Sequence, residues 1–170
     1  MEEDECLDIV DENDKVIGRE KRSVVYAKGL KNFRVVNIFI KNKKGELWIP
    51  RRSANKRIFP LCLDMSVGEH VQSGEEYETA FRRGLLEELN LNSKTYKWRL
   101  LGVLSPEKDK VSCFMGVYEI QSDVVPNYNK DDFVEWFWLR PEEILKRMKE
   151  GEKAKDDLPK LIKIFYIKKN

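Results

Sequence analysis

Residues 66–91 read "SVGEHVQSGEEYETAFRRGLLEELNL", a glycine-bearing loop that runs directly into an amphipathic segment. Tyr77, Phe81, Leu85 and Leu89 recur every four residues, the spacing of one helical face, and predict a helix from Glu76 to Leu89. Asn90 follows where a left-handed C-terminal residue is expected, a conformation Asn tolerates better than most. Ala80, Gly84, Glu87 and Glu88 fall on the stripe beside the apolar face. Paired carboxylates next to small residues leave room for a hard cation, because Mg2+ takes oxygen ligands and keeps several waters. Arg83 lies beyond Glu87 on the wheel, placed to orient a carboxylate through a bidentate contact. Without its loop, such a stripe is more often a solvated acidic face.

Upstream of this segment, "CLDIV" (6–10) and "VIGRE" (16–20) around "DENDK" predict a hairpin, and "KRSVVYAKGL" a short helix ended by Gly29. "RVVNIFIKN" (34–42) is a nearly continuous apolar run, the pattern of a strand buried on both faces. A "KKGE" turn brings "LWIPRR" (47–52) back as its partner, and 53–65 reads as irregular around Pro60. Downstream, "WRLLGVLSP" (98–106) and "VSCFMGVYEI" (111–120) predict two strands around a charged turn, "EKDK". "FVEWFWL" (133–139) alternates as a strand, and "PEEILKRMKEG" and "DLPKLIKIFYI" predict two closing helices. Strands on either side of a central helix, with more helices at the end, indicate an α+β fold: an α/β/α sandwich on a mixed central sheet.

At 170 residues the chain suits one domain, expected over 1–170. With 32 basic and 30 acidic residues its formal charge is +2, too small an excess to suggest nucleic acid as a partner. No apolar run approaches membrane-spanning length, and the acidic start is the opposite of a targeting peptide. Cys6, Cys62 and Cys113 are odd in number and widely spaced, which fits reduced thiols and makes the cytoplasm the default location. Neither Cys62 nor Cys113 is a nucleophile candidate, since each sits in an apolar stretch where free Cys packs as a small hydrophobe.

The loop and helix together resemble the Nudix family, whose signature is G-x5-E-x7-R-E-U-x-E-E-x-G-U with U a bulky aliphatic residue. Glu75, Arg83, Leu85, Glu87, Glu88 and Leu91 match in register, six of nine specified positions. Glu69, Gly84 and Asn90 depart, standing for Gly, Glu and Gly. "DENDKVIG", "YAKGL", "NKKGELWIPRRS", "FPLCLDMSVGEHVQSGE", "DDFVEWFWLRPEE" and "DLPKLIKIF" extend the resemblance to the branch related to isopentenyl-diphosphate isomerase, over about Leu7 to Ile167.

The resemblance implies the Nudix fold and a helix that holds Mg2+ or Mn2+ against a diphosphate-containing small molecule. It makes Glu87 and Glu88 metal ligands, gives Arg83 and these two acids the catalytic assignment, and leaves Glu75 to support the loop. The carboxylate missing at Gly84 would ordinarily be a principal ligand. Losing even an outer partner of a metal typically costs about 10- to 100-fold, so the departure implies a weakened or re-ligated site. Gly84 also weakens the helix by roughly 1 kcal/mol relative to Ala. In related folds the carbonyl at Gly68 reaches the metal, so the side chain of Glu69 points close by. Glu69 is therefore the candidate third acid, moved from helix to loop, with an exposed, merely tolerated Glu as the alternative.

His70, the only histidine, occupies the slot of a metal-binding His in the isomerase branch. The isomerase reaction, however, needs a Cys where Gly68 stands, histidines upstream and an acid in "VSCFMGVY"; a proton shuttle lacks both partners here. His70, Arg51 and Arg52 are candidates for substrate contact, the arginines through diphosphate oxygens, against a solvated basic loop as the alternative for "PRRSANKR". Glu135 is a candidate further base or ligand. Trp48, Trp136 and Trp138 suit either a nucleobase or, more often, a core. These residues predict metal-dependent hydrolysis of a diphosphate bond; the alternative is a non-catalytic module binding a nucleotide, diphosphate or protein. Oligomeric state is not legible.

Overall fold

The computed structural model describes residues 3–169; residues 1, 2 and 170 of the expected domain lie outside these. An N-terminal hairpin, β1 (Cys6–Val10) and β2 (Val16–Lys21), leads through α1 (Arg22–Ala27) into β3 (Arg34–Lys41) and β4 (Leu47–Arg52). Next come β5 (Val67–His70), α2 (Tyr77–Leu89), β6 (Trp98–Leu104), α3 (Pro106–Asp109), β7 (Phe114–Gln121) and β8 (Phe133–Leu139). The helices α4 (Pro141–Lys149) and α5 (Asp157–Phe165) close the chain.

The apolar run of β3 is central because both of its faces are covered. The main sheet runs β6-β7-β3-β4-β8, with β5 also paired to β3. β7 lies parallel to β3 and every other pairing is antiparallel, so the sheet is mixed. On one face Val36, Ile38, Trp48 and Tyr118 pack against Ala80, Phe81, Leu85 and Leu89 of α2. On the other, Phe39, Ile49 and Val117 pack against Ile144 of α4 and Leu158, Leu161 and Ile162 of α5. The period-two alternation of β3 and the four-residue spacing of α2 thus produce an α/β/α sandwich.

α2 begins one residue later than its spacing predicts and ends at Leu89, with Asn90 left-handed at φ 55°. The "EKDK" stretch differs from expectation. It belongs to α3, where the Ser105 hydroxyl caps Lys108 and Pro106 opens the turn, and Lys110 closes it at φ 58°. In the irregular 53–65 segment Phe59 and Leu61 both take positive φ on either side of Pro60, an arrangement bulky residues adopt only when neighbours enforce it. Here the backbone of Leu61 donates to Arg52 and that of Arg52 to Cys62. Among the described residues no helix is long and apolar enough to cross a membrane.

Candidate active site

The loop between β5 and α2 is folded back by one ion pair. Arg83 donates to both oxygens of Glu75, Nε at 3.0 Å and Nη2 at 2.9 Å, and Nη2 also reaches the His70 carbonyl at 2.8 Å. Glu75 in turn accepts from the Gln72 amide at 2.8 Å, closing a turn in which Gly74 holds φ +85°. Arg83 Nη1 faces Glu87 at 3.4 Å and Glu69 at 3.6 Å. Hydrogen bonding to Glu75 raises the already high guanidinium pKa further, against an opposing effect of burial. One guanidinium therefore ties loop, strand and helix together, and bidentate geometry makes it more directional than a lysine.

Glu69 is the residue that the helix surroundings explain best. A β-carbon built on Gly84 would lie 3.2 Å from Glu69 Cβ, 3.5 Å from its Cγ and 3.4 Å from Val67 Cγ1. The stem of Glu69 occupies the space over Gly84. Its side chain is 13% exposed, and burial raises its carboxyl pKa, with Arg83 opposing. Glu88 has Glu69 as a neighbour but is crowded by other acids. Burial, then the charges of Glu69, Asp64 and Asp132, push its carboxyl well above the usual range, while Lys155 opposes. Glu87 is on the exposed side of α2 and, among the described residues, pairs with Arg83 alone. Glu69 and Asp64 lie close enough to Glu88 for their charges to disfavour its ionisation, a crowding of carboxylates that suits Mg2+ or Mn2+. Among the described residues, the acids and histidine whose ligand atoms lie within 4.8 Å of one another are Glu5, Glu69 and His70.

Gly68 lies at the back of this group, where an added β-carbon would come within 3.3 Å of Asn37 Oδ1 and 3.4 Å of Lys155 Nζ. The His70 ring turns toward α1 and the N-terminal hairpin, with one nitrogen still within 4.8 Å of both the Glu69 and the Glu5 carboxylates. Its Nε2 is 2.7 Å from the Tyr26 hydroxyl, its ring stacks on Phe33, and Nδ1 lies 3.9 Å from Glu5. Burial lowers its pKa to about 4, so the ring is neutral at ordinary pH.

The two arginines expected to act together are separated by strand alternation. Arg52 turns toward the acidic group, donating to Asp64 at 2.8 Å and to the Ile58 carbonyl. Arg51 turns to the α4–α5 face, where it pairs with Glu152, with its cross-strand neighbour Glu135 at 3.3 Å, and with the Phe137 ring. The structure therefore brings Glu69, Glu75, Arg83, Glu87, Glu88, Gly68 and Arg52 to one side, and places Arg51 and Glu135 together elsewhere. Trp48 is fully buried against Tyr128 and Phe133, so it offers no face to a base.

Asp64, Lys155 and Glu5 escaped the sequence reading. Asp64 falls inside "FPLCLDMSVGE", two residues ahead of the loop, which was a signal of place if not of role. Lys155 and Glu5 reach the site only through tertiary pairing.

This geometry has relatives. A NUDIX domain model matches residues 31–159. The Nudix hydrolase all7351 of Nostoc sp. is 58% identical over 166 residues, 98% of each chain. A Nudix hydrolase of Deinococcus radiodurans is 48% identical over 163 residues, 96% of this chain and 95% of that one. The crystal structure of DR0079 from Deinococcus radiodurans superposes with a TM-score of 0.90 at 47% identity, covering 96% of this chain and all of that one.

Proposed function

Because the chain belongs to the Nudix hydrolase family, we propose that it hydrolyses a diphosphate bond in a nucleoside-diphosphate-type or other diphosphorylated small molecule, using Mg2+ or Mn2+. The carrying observation is Glu69 lying over Gly84 beside Glu88. The carboxylate that the helix lacks at position 84 is supplied from β5. That exchange removes the main reason to read the protein as a non-catalytic binding module.

Glu69, Glu88 and Glu87, with the Gly68 carbonyl, would hold the ion; when bound, it would neutralise diphosphate oxygens and lower the pKa of a water. Arg83 is a positioning residue: it fixes Glu75, the loop carbonyl of His70 and the exposed Glu87 in one frame. Arg52 holds Asp64 beside the acidic group. His70, neutral and bound to Tyr26, serves as a wall toward the hairpin. Kinship with the isomerase branch extends in this reading to the scaffold only, since Gly68 brings no thiol. The free Cys6, Cys62 and Cys113 support a cytoplasmic setting.

The test is phosphate release from a panel of nucleoside diphosphates and related diphosphates with Mg2+ or Mn2+, run beside Glu88→Gln. Turnover on at least one compound that Glu88→Gln abolishes is expected. Ligand-induced thermal stabilisation without turnover would overturn the reading in favour of a binding module.

A further inference from the structure

Lys155 approaches the acidic group from the far end of the chain, and its backbone alone secures it there. Ala154 bridges Leu63 in parallel, the Lys155 amide donates to the Leu63 carbonyl at 2.8 Å, and the Leu63 amide donates to Lys153 at 2.9 Å. The segment between α4 and α5 is thus stitched to residues just ahead of β5, whatever side chain stands at 155. The side chain then extends until Nζ lies 3.4 Å from where a Gly68 β-carbon would be and 3.9 Å from Asp64 Oδ1.

The ammonium attracts Asp64 and Glu88 but hydrogen-bonds neither. Asp64 Oδ2 already accepts from Arg52 and Oδ1 from the Met65 amide, and 3.9 Å is outside hydrogen-bonding range. Among the described residues Lys155 Nζ makes no hydrogen bond. All three of its donors remain free in a side chain 29% exposed to solvent. A compact cation on a flexible stem, backed by glycine and facing carboxylates, is suited to following an anion that arrives with its own positive ion.

We propose that Lys155 is a substrate-binding residue, its ammonium gripping a non-bridging oxygen of the diphosphate beside Gly68. The inference rests on the metal-and-diphosphate reading of the site and adds a contact from outside the loop and helix. It also sets two effects of opposite sign. A cation arriving alone meets repulsion from Lys155, whereas a diphosphate arriving with the cation gains a charge-assisted hydrogen bond.

The experiment uses the full chain, Lys155→Met and Lys155→Arg, each checked by thermal melting. Mn2+ alone is titrated by electron paramagnetic resonance, and methylenediphosphonate in saturating Mg2+ by calorimetry. Lys155→Met is expected to weaken methylenediphosphonate roughly 10- to 100-fold, the loss of one hydrogen bond between charged groups, while Mn2+ alone binds as well or better. Lys155→Arg keeps most of the anion affinity. Unchanged methylenediphosphonate binding in Lys155→Met, or a parallel loss of Mn2+, overturns the role of Lys155 and leaves the metal reading standing. A wild-type chain that takes up neither probe overturns both.

Discussion

The stem of Glu69 lies over the bare backbone of Gly84, with 3.2 Å between Glu69 Cβ and the place a β-carbon would take on Gly84. Only one of the two positions has room for a side chain of this size. Glu69→Gln should lower Mn2+ affinity by about 10- to 100-fold or more. Gly84→Glu alone should give no gain in phosphate release, because its side chain meets the Glu69 stem. The double variant Glu69→Gly, Gly84→Glu should recover most of the wild-type rate. A gain from Gly84→Glu alone would show that Glu69 supplies nothing.

Removing Arg83 should loosen the whole loop. Arg83→Ala takes the guanidinium from the His70 carbonyl and from Glu75, which keeps the Gln72 amide; this should cost about 2–3 kcal/mol and lower the melting temperature by roughly 5–10 °C. Arg83→Lys should recover only part of this, since an ammonium cannot bind both Glu75 oxygens in one plane. Thermal denaturation of the three proteins tests the order.

Glu88 should trade stability for function. Its charge is opposed by burial and by Glu69 and Asp64, so Glu88→Gln removes a repulsion from the metal-free protein. In a chelator the variant should melt above wild type; in Mn2+ the wild type should gain stability and the variant should not. A variant that melts lower in chelator contradicts this account of the site.

Gly116 supports α2 from beneath. A β-carbon there would lie 2.9 Å from Tyr77 Cδ1 and 3.2 Å from Tyr118, and Tyr77 is held by its hydrogen bond to Asp14 at 2.7 Å. Gly116→Ala should therefore destabilise by about 1–3 kcal/mol through overpacking, measurable by denaturant titration. Asp14→Asn, which weakens the grip on Tyr77, should soften the penalty.

The protein should lose stability in alkali. Burial pushes the Cys113 thiol from its ordinary 9.0 up to about 12, and burial with hydrogen bonds to Asp14 and Glu119 raises the Tyr77 and Tyr166 phenols above their ordinary 10.0. The folded chain keeps these protons while the unfolded chain releases them. The Cys113 contribution is complete below about pH 9 and is lost as pH rises through 12, and those of the two phenols are complete below about pH 10 and decline as pH rises further. Denaturation midpoints measured from pH 8 upward should fall steadily, and Cys113 should resist alkylation until the fold opens.

The helix and the strands were legible because each carries its own period: Tyr77, Phe81, Leu85 and Leu89 mark α2, and Val36 to Ile40 mark a strand covered on both sides. α3 escaped because four residues are too few to show a period, although Ser105 and Pro106 are a helix start. Arg51 and Arg52 were grouped because they are neighbours, whereas alternation along β4 sends them to opposite faces. Lys155 had no local signal at all. Its position depends on the pairing of Leu63 with Ala154, a contact that no nearby residue announces.

Glu69 is paired opposite Val36 across β5 and β3, so its aim is set by strand alignment, whereas Glu87 and Glu88 are aimed by helical pitch. A slip of one residue between those strands would turn the carboxylate to the opposite side of the sheet and leave α2 intact. Mutations along the β3–β5 seam that replace no acid should therefore be able to silence the protein while its melting curve and helical content remain nearly those of the native chain.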